Sequence, residues 1–109
     1  MPKYAALLKY TAETMENIRA EGYASRPRDL TAFAESLGGS VELFQYISTG
    51  EWDVLMVFDV PVDGFLAMTS VGNGAGAVER SVIYELHSAE AIDAAITAHP
   101  ATAYRRPGD

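Results

Sequence analysis

Two segments of this chain are apolar on both faces of an extended strand, and they limit the possible folds more than any other feature. In Trp52–Val60 one face is entirely apolar, and the other carries Leu55 and Val57 between two aspartates. Lys3–Thr11 is also mostly apolar on both faces. Strands covered on both sides have this pattern, whereas one-sided alternation is typical of a partly solvated strand. Both segments are therefore predicted to be central strands.

Two further segments alternate in the same way but carry more polar residues. Ser40–Ser48 sets Val41, Leu43, Gln45 and Ile47 against Glu42, Phe44, Tyr46 and Ser48. In Val78–Leu86, one face is predicted to hold Val78, Arg80, Val82, Tyr84 and Leu86. Charged and amide side chains are common on edge strands, where they oppose edge-to-edge pairing. These two segments are predicted to be the edges of the sheet.

Helical periodicity occupies the gaps between the strands. A short helix, about Thr14–Glu21, ends at Gly22, and a second stretch follows the Tyr23–Arg28 connection. Asp63 can cap a third helix, which the Gly72–Gly76 segment is predicted to close. Ser88 can cap a fourth. The apolar positions recur at helical spacing, with these residues expected on the buried stripes: Met15, Ile18, Leu30, Phe33, Ala34, Leu37, Phe65, Leu66, Ile92, Ala95 and Ile96.

This order of elements predicts the fold class. Strand, helix, strand, strand, helix, strand indicates an α+β, ferredoxin-like βαββαβ fold with a four-stranded antiparallel sheet, helices on one face and an extra C-terminal helix. Right-handed crossovers place the first and third strands at the centre, in agreement with their apolar faces. The predicted core includes Phe33, Leu37, Val54, Phe58 and Ile96.

One face of such a sheet has no helix to cover it. Leu7, Leu55 and Val57, or their counterparts on the opposite face, therefore need another cover. Symmetric dimers are the commonest assemblies, and face-to-face pairing of two sheets would bury this surface. We expect a homodimer or a higher homo-oligomer.

Length and charge limit the function classes. The 109 residues are 49% hydrophobic, which suits one domain, predicted over residues 1–99, with residues 100–109 as a mobile or surface-draped tail. The net charge of −7 disfavours nucleic acid and anionic membrane surfaces. The chain has no cysteine, which excludes disulfides and thiol chemistry. Because the first residues are too short an apolar run for a signal or a membrane span, we expect a cytoplasmic protein.

Several short motifs are similar to those of the GYD domain family: Pro2-Lys3-Tyr4, Lys9-Tyr10-Thr11, Leu37-Gly38-Gly39 and Gly50-Glu51-Trp52-Asp53. The resemblance covers nearly the whole chain and implies the ferredoxin-like fold of the dimeric α+β barrel group. That family has no settled biochemical function. Trp52 stands where the family usually has tyrosine, so any chemistry that needs a phenolic hydroxyl there is absent from this chain, whereas a packing or stacking role is retained.

Six residues are candidates for ligand binding: Lys9, Tyr10, Tyr46, Trp52, Asp53 and His87. Lys9 lies on an otherwise apolar strand, where it would hold an anionic substrate or form an ion pair with Glu42, Glu79 or Glu85; the ion pair is favoured. Tyr10, Tyr46 and Trp52 are expected at one end of the sheet, either as a pocket lining or as core.

The segment Gly50-Glu51-Trp52-Asp53 joins the second and third strands. A structural turn, with Gly50 at positive φ, is favoured over a ligand-contacting loop. Asp53 would either cap the amides of the turn or act as a base, and the sequence does not separate these roles.

Other motifs carry less chemistry. His87 and His99 lack the spacing of a metal site, so no metal and no cofactor is assigned. Gly72–Gly76 follows a helix rather than preceding one, unlike a phosphate-binding loop. Arg19, Arg26 and Arg28 cluster around the first helical connection, where a solvated basic patch is favoured over an anion site.

Two functions fit these observations. The first is a homo-oligomeric domain that binds, or transforms, a small organic molecule in a pocket between sheet and helices. The second is a non-catalytic accessory or regulatory module. A cavity between the sheet and the helices would favour the first, and a closed core the second.

Overall fold

The computed structural model describes residues 1–100 and 103–109 and has the predicted ferredoxin-like architecture. Its elements in chain order are β1 Lys3–Tyr10, α1 Ala12–Glu21, α2 Ser25–Ser36, β2 Ser40–Tyr46, β3 Val54–Asp59, α3 Val62–Ala75, β4 Val78–Leu86 and α4 Ala89–Ala98. The strands form one antiparallel sheet in the order β2-β3-β1-β4. The prediction that β1 and β3 are central is confirmed.

One face of the sheet, called the covered face, packs against α1, α2 and α3. The buried cluster consists of Tyr4, Ala6, Leu8, Tyr10, Ile18, Ala34, Val54, Met56, Phe58 and Val60. Alternate residues of β1 and β3 supply most of it, as the period of two requires. The Tyr4 ring stacks on Phe65 of α3 with 4.1 Å between ring centroids, which docks that helix on the sheet.

The other face, called the open face, has no helix of residues 1–100 buried against it. The strand register places two apolar rows across its middle. One row holds Leu43, Val57, Ala5 and Tyr84, and the next holds Gln45, Leu55, Leu7 and Val82. Charged residues lie beyond these rows at both ends, with Lys3 and Asp59 at one end and Lys9 and Arg80 at the other.

Two bulges change which residues face the helices. The register shifts near Glu79, where Tyr10 pairs with Val78 although Lys9 pairs with Arg80. Val78 therefore lies on the covered face, and the prediction that it shares a face with Arg80 is wrong. A second shift at Glu42 puts Val41 on the covered face and Leu43 on the open face. A bulge inserts one residue into one strand and reverses the alternation beyond it, which strict alternation does not anticipate.

Two helices differ from their predicted bounds. α2 begins at Ser25, so part of the expected Tyr23–Arg28 connection is helical. α3 continues through Gly72 and Gly74 to Ala75, and it ends only at Gly76, which adopts the left-handed φ of 73°. A helix tolerates glycine at a cost of about 1 kcal/mol per residue. The glycine content of this segment therefore does not by itself locate the end of α3.

Gly39 allows a close approach of the chain entering β2 to the end of β3. A methyl group at this position would overlap the carbonyl oxygen of Asp59 and lie 2.5 Å from Val60 Cγ1. Only glycine fits here, because the backbone of one strand occupies the space of a side chain.

The C-terminal helix α4 extends from this body. Ser88 Oγ accepts a hydrogen bond from the Ala91 amide at 3.1 Å, which confirms the predicted cap. No residue of α4 is buried, and Ile96 is 62% exposed, so its assignment to the core is wrong. The radius of gyration of 17.6 Å exceeds the value of about 13 Å typical of a compact chain of this size. The predicted tail, residues 100–109, includes positions 101 and 102, which lie outside the described residues.

Candidate functional site

A cavity of about 330 Å³ lies between the covered face and the helices α2 and α3. We call it the sheet–helix cavity. Most of its wall is apolar: Ala6, Leu8, Met56, Phe58, Val78 and Ile83 come from the strands, and Leu30, Phe33, Met68 and Val71 come from the helices. Ala6 and Ser81 are small residues in the strand wall of the cavity. Its volume lies at the lower end of the range typical of small-molecule sites.

A few polar side chains line the same cavity. Arg26 and Asp29 come from the first two turns of α2, Thr69 and Asn73 from α3, and Ser81 from β4. Thr69 Oγ1 donates to the carbonyl of Leu66 at 3.1 Å and is thus engaged within its own helix. An apolar wall with a small number of polar groups is the usual composition of a ligand pocket.

Arg26 is held in place by Tyr10. Its Nε donates a hydrogen bond to the Tyr10 hydroxyl at 3.0 Å, and its guanidinium carbon lies 5.2 Å from the centre of the Tyr10 ring. Tyr10 is itself only 2% exposed. A cation over an aromatic ring at this distance is stabilised by the ring quadrupole. Tyr10, predicted as a ligand-binding candidate, thus positions Arg26 and does not itself line the cavity.

Tyr46 fixes the corner from which α2 begins. Its hydroxyl donates to the Tyr23 carbonyl at 2.7 Å, and the two rings meet edge to face at 5.2 Å. Ser25 Oγ donates to the Gly22 carbonyl at 2.7 Å in the same corner. Burial raises the pKa of the Tyr46 hydroxyl, and Tyr10 adds to this rise while Arg26 opposes it. Tyr46 therefore helps set the position of Arg26 through the backbone.

Asp53 joins the ends of three strands. Its Oδ2 accepts from the Tyr10 amide at 2.8 Å, its backbone amide donates to the Leu8 carbonyl, and its carbonyl accepts from the Ile47 amide. Its Oδ1 lies 3.6 Å from Lys9 Nζ. The carboxylate therefore caps an amide of β1, and not the amides of its own turn as predicted. Lys9 does pair with a carboxylate, but Asp53 takes the place of the predicted Glu42, Glu79 or Glu85, because the β2–β3 connection folds back to β1.

Trp52 lies in the β2–β3 connection, two residues before the start of β3. The Arg80 guanidinium lies 5.0 Å from the centre of its ring, and Arg80 Nη2 is 3.5 Å from Glu51 Oε2. Gly50 has the positive φ of 87° that was predicted for this turn. One face of the Trp52 ring is therefore occupied by the protein's own arginine.

His87 lies far from the other five candidates. It follows β4, whose Leu86 pairs with Lys3, so it lies at the opposite end of the sheet from Lys9 and Tyr10. His87 lines an open groove along α4 together with Ala91, Ile92, Ala95, Ile96 and His99. Across residues 1–100 and 103–109, no group of three or more histidine or acidic side chains is arranged to hold a metal ion.

The six candidates thus divide into three places. Tyr10 and Tyr46 lie beside the sheet–helix cavity, Lys9, Asp53 and Trp52 lie at the same end of the sheet outside it, and His87 lies on the α4 groove. None of the six lines the sheet–helix cavity.

Arg26 does line the cavity, although it is not among the six candidates, because the sequence favoured a solvated patch over an anion site for its cluster. The basic-patch interpretation holds for the exposed Arg19 and Arg28, but Arg26 is partly buried. A signal was present: Arg26, Leu30, Phe33 and Leu37 follow helical spacing, so Arg26 continues the apolar stripe of α2 toward its N-terminus. Ser81 likewise lies two residues before Ile83, so alternation places both on the covered face.

No protein-family model matches this chain, and a search of curated proteins gives no significant match. The GYD resemblance therefore stays a prediction. In the part of the chain that the structure describes, no helix has both the length and the apolar composition needed to cross a bilayer.

Proposed function

We propose that this chain is a homo-oligomeric domain that binds a small organic molecule in the sheet–helix cavity. The cavity itself carries the proposal, since it is a mainly apolar space of about 330 Å³ with a few polar groups. A closed core would have favoured the accessory or regulatory module, which is the alternative. Lys9, Asp53 and Trp52, three of the six ligand-binding candidates, are engaged in the protein's own contacts, so the proposal is binding and assigns no reaction.

The methionines allow a direct test of this proposal. Met56 and Met68 line the cavity, whereas Met1 and Met15 do not. With methionine methyl groups labelled by ¹³C, titration with 1-octanol should shift the NMR signals of Met56 and Met68 and leave those of Met1 and Met15 in place. Equal shifts at all four methyl groups, or none, would contradict binding in this cavity.

Two glycines of α3 supply matched variants. Both are helical, and a Cβ added to either meets no other atom within 4 Å, but only Gly72 lines the cavity. Gly72→Leu should weaken octanol binding by occupying the cavity, and Gly74→Leu should leave it unchanged. If both variants bind octanol as the parent does, the site lies elsewhere.

The homo-oligomer is the second part of the proposal. The two apolar rows of the open face, with charged residues only at their ends, have the arrangement of an interface with an apolar centre and a polar rim. A second copy pairing through the same face is the economical cover, because a two-fold interface uses one patch twice. Sedimentation equilibrium tests it, and a monomer at micromolar concentration would contradict it.

The GYD relationship is the third part. Gly50 at positive φ and Asp53 on the Tyr10 amide give the matching residues of the Gly50-Glu51-Trp52-Asp53 motif a structural use. The ferredoxin-like fold is the one that the resemblance implies. An alignment of homologues of this chain tests the relationship. If Gly50 and Asp53 vary freely among them, the relationship is contradicted.

A further inference from the structure

The sheet–helix cavity is lined by a cation, Arg26, that forms no ion pair with any described residue. Within residues 1–100 and 103–109, no carboxylate oxygen lies within 4.0 Å of the Arg26 guanidinium nitrogens. Other basic side chains do form ion pairs: Lys3 with Glu42, Lys9 with Asp53 and Arg80 with Glu51. A partly buried arginine without a carboxylate partner is unusual in a chain with fifteen acidic residues.

The contacts of Arg26 leave its two terminal guanidinium nitrogens available to bind a ligand. Its Nε donates a hydrogen bond to the Tyr10 hydroxyl, and its guanidinium carbon lies over the Tyr10 ring. The two terminal nitrogens form no side-chain hydrogen bond with a described residue. A guanidinium fixed through Nε loses little freedom when its terminal nitrogens bind an oxygen pair, and a carboxylate fits them with two parallel hydrogen bonds.

The rest of the cavity selects for an apolar body. Met56, Phe58 and Met68 form the wall beyond Arg26. Methionine side chains are unbranched and adapt to ligands of different shape. From these features we propose that the cavity binds an organic acid, with its carboxylate on Arg26 and its hydrocarbon part against Met56, Phe58 and Met68. This inference rests on the proposed function and adds the chemical class of the ligand.

Asp29 is the group that opposes this inference. It lies one turn beyond Arg26 on α2 and also lines the cavity, so it would favour an amine over an acid. Asp29 is exposed, however, whereas Arg26 is partly buried. Charges in contact with water are screened, so the partly buried Arg26 has a stronger influence on a ligand inside the cavity than the exposed Asp29 has.

Three probes with the same hydrocarbon chain separate the possibilities: octanoate, 1-octanol and octylamine, each below its micellar concentration. We expect octanoate to bind at least about tenfold more tightly than octanol, the effect of one charge-assisted pair of hydrogen bonds. Equal binding of octanoate and octanol would overturn the inference and leave the proposed function standing. Tighter binding of octylamine would also overturn it and assign the cavity to Asp29. Binding of none of the three at Met56 and Met68 would contradict the proposed function itself.

Variants identify the cation. Arg26→Gln should lower the affinity for octanoate to about that of the same variant for octanol, while Arg28→Gln, which changes an exposed arginine on the same helix, is the matched control and should bind both probes as the parent does. Arg26→Lys keeps the positive charge but loses the paired guanidinium nitrogens. Its affinity for octanoate should therefore lie between those of the parent and Arg26→Gln. Far-ultraviolet circular dichroism checks that each variant is folded. If Arg26→Gln and Arg26→Lys both bind octanoate as tightly as the parent, Arg26 is not the anchor and the inference is wrong.

Discussion

The covered and open faces of the sheet are built from alternate residues of the same strands, and their burial differs sharply. On β3, Val54, Met56 and Phe58 are at most 6% exposed, whereas Leu55 and Val57 between them are only partly buried. Both sets are apolar. The covered face obtains its burial from α1, α2 and α3, so its side chains stabilise the single chain. The centre of the open face is also mostly apolar, but no helix of residues 1–100 covers it, so an assembly would bury its side chains further.

The charges of the open face sharpen this contrast. Lys3 and Glu42, 2.8 Å apart, lie at one end, and Lys9 with Asp53 lies at the other. A solvated face of an antiparallel sheet usually carries polar residues throughout its middle. Here polar residues mark the rim and apolar residues the centre, which is why the two faces are expected to respond differently to substitution.

The largest effect is expected in the centre of the covered face. Phe58 is 1% exposed and packs against Tyr4 at 5.4 Å between ring centroids. Phe58→Ala should lower the free energy of unfolding by about 3–5 kcal/mol, because it removes a buried ring and leaves a cavity. Glu90→Ala on α4 is the control and should change stability by less than about 0.5 kcal/mol. Equal urea midpoints for the two variants would show that the covered face is not the core.

The next effect concerns assembly, and adjacent residues of β3 provide the comparison. Leu55→Asp places a charge in the apolar rows of the open face, so it should convert the proposed dimer to a folded monomer in sedimentation equilibrium. Met56→Asp places the same charge on the covered face and should unfold the chain. If Leu55→Asp leaves a dimer in place, the two copies meet through another surface, such as the exposed Ile92 and Ile96 of α4.

A smaller effect is expected at the corner that positions α2. Tyr46→Phe removes the hydrogen bond to the Tyr23 carbonyl and should cost about 1 kcal/mol. Because folding raises the pKa of this hydroxyl above its usual 10.0, the unfolded chain loses the proton first. The associated stability is complete below pH 10 and declines as the pH rises further.

Urea titrations across the alkaline range measure this decline. The Tyr46→Phe variant should show a shallower loss of stability above pH 10 than the parent. Burial also raises the pKa of the Tyr4 hydroxyl, so part of the slope should persist. A decline of unchanged slope in Tyr46→Phe would show that this hydroxyl does not titrate differently in the folded chain.

The smallest effect is expected for Lys9. Its side chain is 35% exposed and lies 3.6 Å from Asp53, so Lys9→Met should cost less than about 1 kcal/mol. Lys9 lies on the open face and does not line the sheet–helix cavity, so octanol binding should be unchanged. Weaker octanol binding in Lys9→Met, measured by the Met56 and Met68 signals, would mean that the two faces communicate.

Much of the fold follows from local pattern, and the errors have a common origin. The prediction that β1 and β3 are central strands rests on their alternation and apolar content. Both can be read from each segment without knowing which strands lie beside it. Val78 was assigned to the wrong face because a bulge at Glu79 depends on pairing with β1. Ile96 was assigned to the core because α4 has an apolar stripe. Such a stripe predicts a buried face, but it does not indicate whether the residues that bury it belong to the same chain.

The candidate site was harder to predict for the same reason. Tyr10, Tyr46, Trp52 and Asp53 were expected at one end of the sheet, and register brings them there. Their hydrogen bonds are with the protein's own backbone and Arg26, which no local pattern reveals. Arg26 looked like part of a solvated cluster because its contact with Tyr10 spans sixteen positions of the chain.

The sequence by itself determined the order of the elements, the central strands, the absence of cysteine chemistry and the capped ends at Gly22 and Ser88, since these depend on neighbouring residues and composition. Only the tertiary structure decided which face holds the cavity, that Asp53 binds the Tyr10 amide, and that Arg26 reaches the cavity without a carboxylate partner. Those features require residues distant in the chain to meet at distances near 3 Å. Sheet register, two bulges and helix docking set such distances together, so they are properties of the packed chain and not of any segment within it.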